Sequence, residues 1–271
     1  MTSSEWIVIE GGLFLLGSIW GSFLGVLVDR IPKEESIFLP RSHCNSCGHT
    51  LGALDLVPFK VWIFNRGHCV YCAAPIDPQT IISEFCTALL FSATPLLFPD
   101  IKRILFLLAF FSFALPLSLI DLRSHRLPHK LTWSAGLMGL ALTWTTLEPS
   151  QSHIGGLLPS VLGFLTGFLP LWLLATFYPQ GMGMGDAFWL GAIGTFVGPV
   201  GTLQTLLLSS FSATITSVLA LLLFDQKQNN GSWRTLKIPF GPFLSAAGII
   251  VVLYQQDLNR WGGIISQSLL G

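Results

Sequence analysis

Two kinds of residue in this 271-residue chain have the type and spacing for chemistry: cysteines in pairs, and two aspartates at the edges of apolar stretches. Cys44-Asn45-Ser46-Cys47 is followed, after twenty-one residues, by Cys69-Val70-Tyr71-Cys72. Each Cys-x-x-Cys turn offers two thiolates, and two such turns supply the four sulfurs of a tetrahedral zinc site. The spacer is slightly long for that pattern, and a hairpin absorbs the excess. Gly48 relieves the first turn sterically. With cysteine at all four positions no place is open to a bound water. Zinc here is therefore expected to be structural, fixing a loop-rich module with no core of its own. A redox pair, or two unrelated turns, are the alternatives; a disulfide is the weaker one in a reducing cytosol. His43, His49 and His68 flank the turns and are expected to be solvated. Cys86, among apolar neighbours, reads as a small buried residue.

Asp121 closes the apolar stretch 104–120, and Asp186 stands immediately before 187–224, after Gly181-Met182-Gly183-Met184-Gly185. Ionisable groups bordering a hydrocarbon core are costly and usually have a use. Two carboxylates held close share a proton. One then acts as base on a water while the other donates to a carbonyl oxygen, which is aspartic-protease chemistry. The bland alternative makes Asp186 a helix N-cap. That alternative suits Asp121 less well, because an acid at a helix C-terminus opposes the macrodipole. Spacing alone does not bring two residues sixty-five positions apart together.

The elements that must position these groups are membrane helices. Hydrophobic residues make up 51% of the chain and charged residues only 10%, with a mean hydropathy of +0.66. Soluble domains carry roughly 25% charged residues, so a disordered chain is excluded and a water-soluble globule disfavoured. Equal numbers of basic and acidic residues, 14 each, point to no nucleic-acid partner. Five cysteines are too few for a disulfide scaffold.

Uncharged apolar stretches cover 11–28, 85–99, 104–120, 131–147, 154–178, 187–224 and 238–256. A bilayer core takes roughly 20 helical residues. The stretch 187–224 would be about 57 Å long as one helix, and Gly198-Pro199 is expected to divide it. The short second stretch gains length if Glu84 and its neighbours join it. The predicted fold is an all-α polytopic membrane protein with about eight transmembrane helices and a small cytoplasmic zinc-binding insert. Its expected domains are a first transmembrane helix (1–28), a cytoplasmic four-cysteine module (29–79) and a helical membrane domain (80–271). No Lys or Arg precedes the first span, so it is expected to be retained rather than cleaved as a signal peptide.

Orientation follows from the basic residues. With residues 1–6 outside, the inner loops hold Arg30, Lys33, Arg41, Lys60 and Arg66, then Arg123, Arg126 and Lys130, then Lys227, Arg234 and Lys237. Only Lys102, Arg103 and Arg260 fall outside. The positive-inside rule favours this topology, with the cysteine segment cytoplasmic and both aspartates at the cytoplasmic ends of helices.

Together these features resemble the type IV prepilin peptidases, bifunctional leader peptidase/N-methyltransferases that are membrane aspartic proteases. The resemblance runs through Gly21-Ser22-Phe23-Leu24, Arg30-Ile31-Pro32, the paired Cys-x-x-Cys turns, Leu54-Asp55-Leu56-Val57-Pro58, Arg66-Gly67 and Ala74-Pro75-Ile76. It continues through Ile120-Asp121-Leu122, Leu127-Pro128, Leu131-Thr132, Gly183-Met184-Gly185-Asp186 and Ile238-Pro239-Phe240-Gly241-Pro242-Phe243. It implies that Asp121 and Asp186 are a catalytic pair in the inner membrane. The substrates it implies are prepilin or pseudopilin precursors, with a basic leader inside and an apolar helix in the lipid bilayer. It further implies methylation of the new N-terminus from S-adenosylmethionine.

The chain departs from the family in three places. An acid commonly stands where His129 is, a Lys where Phe188 is, and an Asn where Gly25 is. The first two losses together look like removal of a charge pair, and the third puts methyl transfer in question. No fingerprint for S-adenosylmethionine is visible: the run 181–185 follows no predicted strand, so a Rossmann reading fails. Glu34, Glu35 and Glu84 are candidates for attracting the basic leader.

Two other classes of function compete. A transporter using Asp121 and Asp186 as cation sites would be expected to carry further acids deep in its spans, which hold only Glu10 and Glu84. A non-catalytic zinc-bearing scaffold of a pilus or secretion assembly would tolerate loss of either aspartate.

Overall fold

The computed structural model describes residues 3–52, 54–98, 100–146, 156–178, 183–224 and 239–254. Among these residues the regular structure is helical, with two isolated β-bridges and no strands. The helices are α1 (Ser3–Arg30), α2 (Lys60–Asn65), α3 (Gln79–Leu97), α4 (Ile101–Ser124), α5 (His129–Thr146), α6 (Leu157–Phe177) and α7 (Met184–Phe224). A last helix, α8, spans Gly241–Tyr254.

Among the described residues five helices, α1, α3, α4, α6 and α7, are long and apolar enough to cross a membrane. The sequence leads one to expect eight, and three physical facts separate the numbers. The polar start of α5 at His129-Lys130 and its threonines dilute its hydropathy. The helix α8 is too short at its described length. The long stretch 184–224 counts as one helix, although Gly198 (φ 69°, ψ −179°) interrupts it before Pro199 as expected. Pro199 cannot donate the hydrogen bond that would carry the helix through. Conversely, α3 does extend back through Glu84, reaching 19 residues. Lys227, Arg234, Lys237 and Arg260, used for orientation, lie outside the described residues, as do Gly181, Met182 and Ile238.

The chain forms two compact units, Met1–Ile120 and Asp121–Gly271. In the first, α1 and α3 pack with their backbones in contact. The contact is made by glycines one turn apart on one face of α1. A Cβ on Gly17 would lie 2.8 Å from the Ala88 Cα, one on Gly21 would strike the backbone at Ser83 and Glu84, and one on Gly25 would lie 3.0 Å from Ser83 Oγ. Small residues at this spacing let helix backbones approach where lipid removes the hydrophobic drive. Gly25 thus has a packing reason of its own. Trp20 Nε1 donates to Ser112 Oγ at 2.8 Å and ties α1 to α4.

In the second unit α6 and α7 cross by the same device. The backbones of Gly163 and Gly194 touch, a Cβ on Gly167 would lie 2.7 Å from the Leu190 carbonyl oxygen, and Thr202 Oγ1 donates to the Gly163 carbonyl at 3.3 Å. Trp189 is fully buried, and its Nε1 donates to Ser245 Oγ at 3.0 Å, joining α7 to α8. Gly163→Ala places a methyl on the Gly194 carbonyl oxygen. It is expected to destabilise the protein by about 1–3 kcal/mol, read as a lower thermal midpoint in detergent.

Candidate active site and metal centre

The two cysteine turns are built alike. In the first, the Cys44 N–H donates to the His49 carbonyl at 3.0 Å and the Gly48 N–H to the Cys44 carbonyl at 2.9 Å. In the second, Cys69 donates to Ala74 and Ala73 to Cys69, both at 2.9 Å. One β-bridge closes each turn, His43 with Thr50 and His68 with Pro75. The sequence carries the same repeat, Arg-x-His-Cys-x-x-Cys, at 41–47 and 66–72. The position after each second cysteine is left-handed, φ 72° at Gly48 and 56° at Ala73, which costs a non-glycine residue more.

The four Sγ atoms of Cys44, Cys47, Cys69 and Cys72 lie within 4.8 Å of one another. Cys44 and Cys72 Sγ are 3.8 Å apart, the sulfur–sulfur edge of a tetrahedron with metal–sulfur bonds of about 2.3 Å. Electrostatics agree with the geometry. The Cys47 and Ser46 amides hold the Cys44 thiol down at about 6. The Ala74 amide acts in the same sense on Cys72, but burial and the sulfurs of Cys47, Cys69 and Cys44 push that thiol up to about 12. Four sulfurs this close do not all ionise without a cation among them. The cluster therefore fits a closed, four-sulfur metal site.

The three histidines are exposed and make other contacts. His43 Nδ1 donates to the Arg41 carbonyl and His68 Nδ1 to the Arg66 carbonyl, each at 3.0 Å, and the His49 ring lies tilted against that of Tyr71. Cys86 is half-buried in α3, outside the cluster.

From this cluster a chain of contacts leads back toward α3. Tyr71 Oη donates to Asp55 Oδ2 at 3.1 Å, and the same oxygen accepts the Gly52 N–H at 3.1 Å. That amide, with Tyr71 and Lys60, holds the Asp55 carboxyl below its usual range. Further along the loop, the Phe59 N–H donates to Glu84 Oε2 at 2.9 Å. Glu84 is only 5% exposed. Its carboxylate is bonded within the fold, whereas Glu34 and Glu35 are exposed.

In the second unit, Asp121 lies in the last turn of α4 with 5% of its surface exposed. The helix stops there because His125 takes a left-handed conformation (φ 51°) and donates its N–H to the Asp121 carbonyl at 2.9 Å. The turn that follows buries Leu127. Gly185, one residue before Asp186, packs directly onto it: a Cβ there would lie 2.8 Å from the Leu127 Cβ. This close approach draws the start of α7 to the end of α4. Asp186 donates its N–H to the Gly183 carbonyl at 3.1 Å, and its carboxylate takes a hydrogen bond from the Gly183 amide. The charge of Asp121 acts on the Asp186 carboxylate. Asp121 is buried and Asp186 half-buried, each at the end of its helix that adjoins the turn around Leu127.

Sequence reasoning left one participant without a role. The Gly241 N–H, at the start of α8, donates to Asp121 Oδ2 at 2.8 Å. Its only signal was the motif Pro239-Phe240-Gly241-Pro242-Phe243, which carries no ionisable group.

The two departures His129 and Phe188 turn out to be neighbours, with ring centroids 5.0 Å apart in an edge-to-face pair. Phe188 also meets Trp133 at 5.4 Å and Phe168 at 4.8 Å. Each single variant, His129→Asp or Phe188→Lys, sets an unpaired charge beside an aromatic ring. Each is expected to cost about 1–3 kcal/mol, and the double variant to recover at least half of the summed loss in thermal unfolding. Strict additivity would mean that the positions do not pair.

Known proteins account for both units. Residues 15–98 match the model for the bacterial peptidase A24 N-terminal domain, and residues 108–218 that for the type IV leader peptidase family. A prepilin leader peptidase/N-methyltransferase of Aeromonas hydrophila is 30% identical, with 92% of each chain covered. A type 4 prepilin-like proteins leader peptide-processing enzyme of Escherichia coli is 29% identical over 88% of this chain and 91% of its own. The prepilin leader peptidase/N-methyltransferase of Dichelobacter nodosus is 27% identical over 97% and 99%. No solved structure matches the chain. From its first helix through the kinked α7, the chain belongs to the type IV leader peptidase family.

Proposed function

We propose that this protein is a membrane aspartic endopeptidase that removes the basic leader from prepilin or pseudopilin precursors at the cytoplasmic membrane face. What supports the reading is that, in a chain of this family, Asp121 and Asp186 stand at helix ends joined through Leu127 and Gly185, near enough for the charge of one to act on the other. A water between the carboxylates loses a proton to one of them as its oxygen attacks the scissile carbonyl carbon. The other carboxyl donates a proton to the carbonyl oxygen, leaving a neutral tetrahedral intermediate. Its collapse breaks the C–N bond, re-forms the carbonyl, and returns a proton to the departing amine. Two like charges side by side favour sharing a single proton.

The precursor's charged leader stays in the cytoplasm while its apolar helix lies in the bilayer, so the scissile bond arrives at the depth of helix ends. The positive-inside reading of the basic loops supports that orientation. It also supports eight crossings in the inner membrane, with α5, α8 and the two halves of α7 each spanning.

Cys44, Cys47, Cys69 and Cys72 would hold a structural zinc, which supplies a cross-link and no open coordination position. The relatives' names include N-methyltransferase. Methylation of the released N-terminus from S-adenosylmethionine completes the reading, with no residue assigned to that donor.

The test is a mass spectrum of a precursor after incubation with the purified protein and S-adenosylmethionine. Loss of the leader mass supports the peptidase, and a further methyl mass the second activity. An intact panel of precursors beside folded, zinc-loaded protein would overturn the reading in favour of a non-catalytic scaffold.

A further inference from the structure

We propose that the main-chain amide of Gly241 is a positioning group of the active site, and that α8 completes the site through it. The inference rests on the dyad reading above. Asp121 sits at the C-terminal end of α4, where the helix's own carbonyls repel a carboxylate. Gly241 is the first residue of α8, and an N–H at that position has no partner within its helix. The one group lacks a donor and the other an acceptor. They meet in a buried 2.8 Å hydrogen bond across 120 residues of sequence.

Glycine is needed here for space. The backbone of Gly241 is not in the left-handed region, so conformational freedom is not the reason for glycine. A Cβ at this position would lie 2.7 Å from Asp121 Oδ2, 3.1 Å from its Cγ and 3.0 Å from its Cβ. Every other side chain would have to push the carboxylate off its seat to keep α8 in place. The two aspartates are therefore held in different ways. Asp186 is bonded by Gly183, three residues before it on the same segment. Asp121 is aimed by a separate helix, itself anchored to α7 through Trp189 and Ser245.

The hydrogen bond can be observed alone, because Phe-Gly occurs once in the sequence, at Phe240-Gly241. Carbonyl-¹³C phenylalanine with ¹⁵N-glycine then isolates that amide by NMR in the full-length protein in detergent. Its proton is expected to move upfield in Asp121→Ala and to exchange with solvent about tenfold faster or more, while Asp186→Ala leaves it in place. An amide that does not respond to Asp121→Ala overturns the proposal.

Gly241→Ala is expected to lower kcat for leader cleavage about 100-fold, the cost of a reacting group misplaced by about an ångström. KM should stay within about threefold, because no substrate contact is removed. Zinc content and the thermal midpoint tell a folding failure from a positioning defect, and the NMR arm decides if Gly241→Ala does not fold. Full kcat in a folded Gly241→Ala would also overturn the proposal. If the amide responds but Asp121→Asn and Asp186→Asn still cleave, it is the dyad reading that fails.

Discussion

Asp121→Asn and Asp186→Asn are each expected to lower kcat for leader cleavage by at least about 10³-fold, with precursor still bound. General acid–base catalysis contributes about 10²–10⁴-fold, and residues acting as one unit lose nearly all of it when either is removed. The double variant should therefore be little worse than either single one. Asparagine keeps the shape of aspartate and still offers an oxygen, to the Gly241 amide at position 121 and to the Gly183 amide at position 186. Packing around Leu127 and Gly185 is untouched, so zinc content and thermal midpoint should match the wild type. The measurement is the rate of leader loss by mass spectrometry under single-turnover and saturating conditions. A scaffold would lose nothing in either variant. A protein whose aspartates bind a cation would lose transport instead. Cleavage within tenfold of wild type in both would remove the aspartic mechanism.

Serine at Cys47 or Cys72 is expected to abolish stoichiometric zinc and unfold the segment between roughly residues 39 and 76. A structural zinc in a small module contributes about 10–16 kcal/mol of apparent binding free energy, which is folding free energy where no core exists. Besides the two turn pairs and bridges, the described part of the segment is held by the Asp55 ties, the short α2 and the Phe59–Glu84 hydrogen bond, and most of its residues are exposed. Removing one thiolate leaves three ligands, and a seryl oxygen is a poor substitute. Elemental analysis should give one zinc per wild-type chain and much less in either variant, and limited proteolysis should cut between residues 39 and 76 only in the variants. Because the ligands must lose their protons to bind, acid should release the metal, and zinc loading should release protons. Wild-type protein that holds no zinc but runs with two disulfides would turn the reading to redox chemistry.

Glu84 and the pair His129/Phe188 illustrate how far the residues speak without the fold. Glu84 looks like an acid available to a basic leader, but the Phe59 amide takes it up. The two departures read as the joint loss of a charge pair, and what stands in its place is a ring pair that no local pattern shows. Neither contact has a periodicity or a spacing that announces it. The apolar stretches are plain in the sequence, but hydropathy measures the wish to leave water. It does not say where a kinked helix such as α7 counts as two, and among the described residues only five helices meet the length and hydropathy a crossing needs.

What the sequence alone determined is what short-range chemistry determines. Composition decided the membrane class, because so few charges cannot cover a water-soluble surface. The two Cys-x-x-Cys turns announced the four-sulfur cluster, because three peptide bonds bring the sulfurs of each turn close enough for one ion. Gly198-Pro199 marked the kink, because proline has no N–H to give. The tertiary structure alone decided the site. Gly185 lies against Leu127 and so sets Asp186 near the turn that follows Asp121, and Gly241 can reach the Asp121 carboxylate because it has no side chain. Sequence distance carries no information on such meetings: a hydrogen bond across 120 residues follows from how the intervening helices fill space.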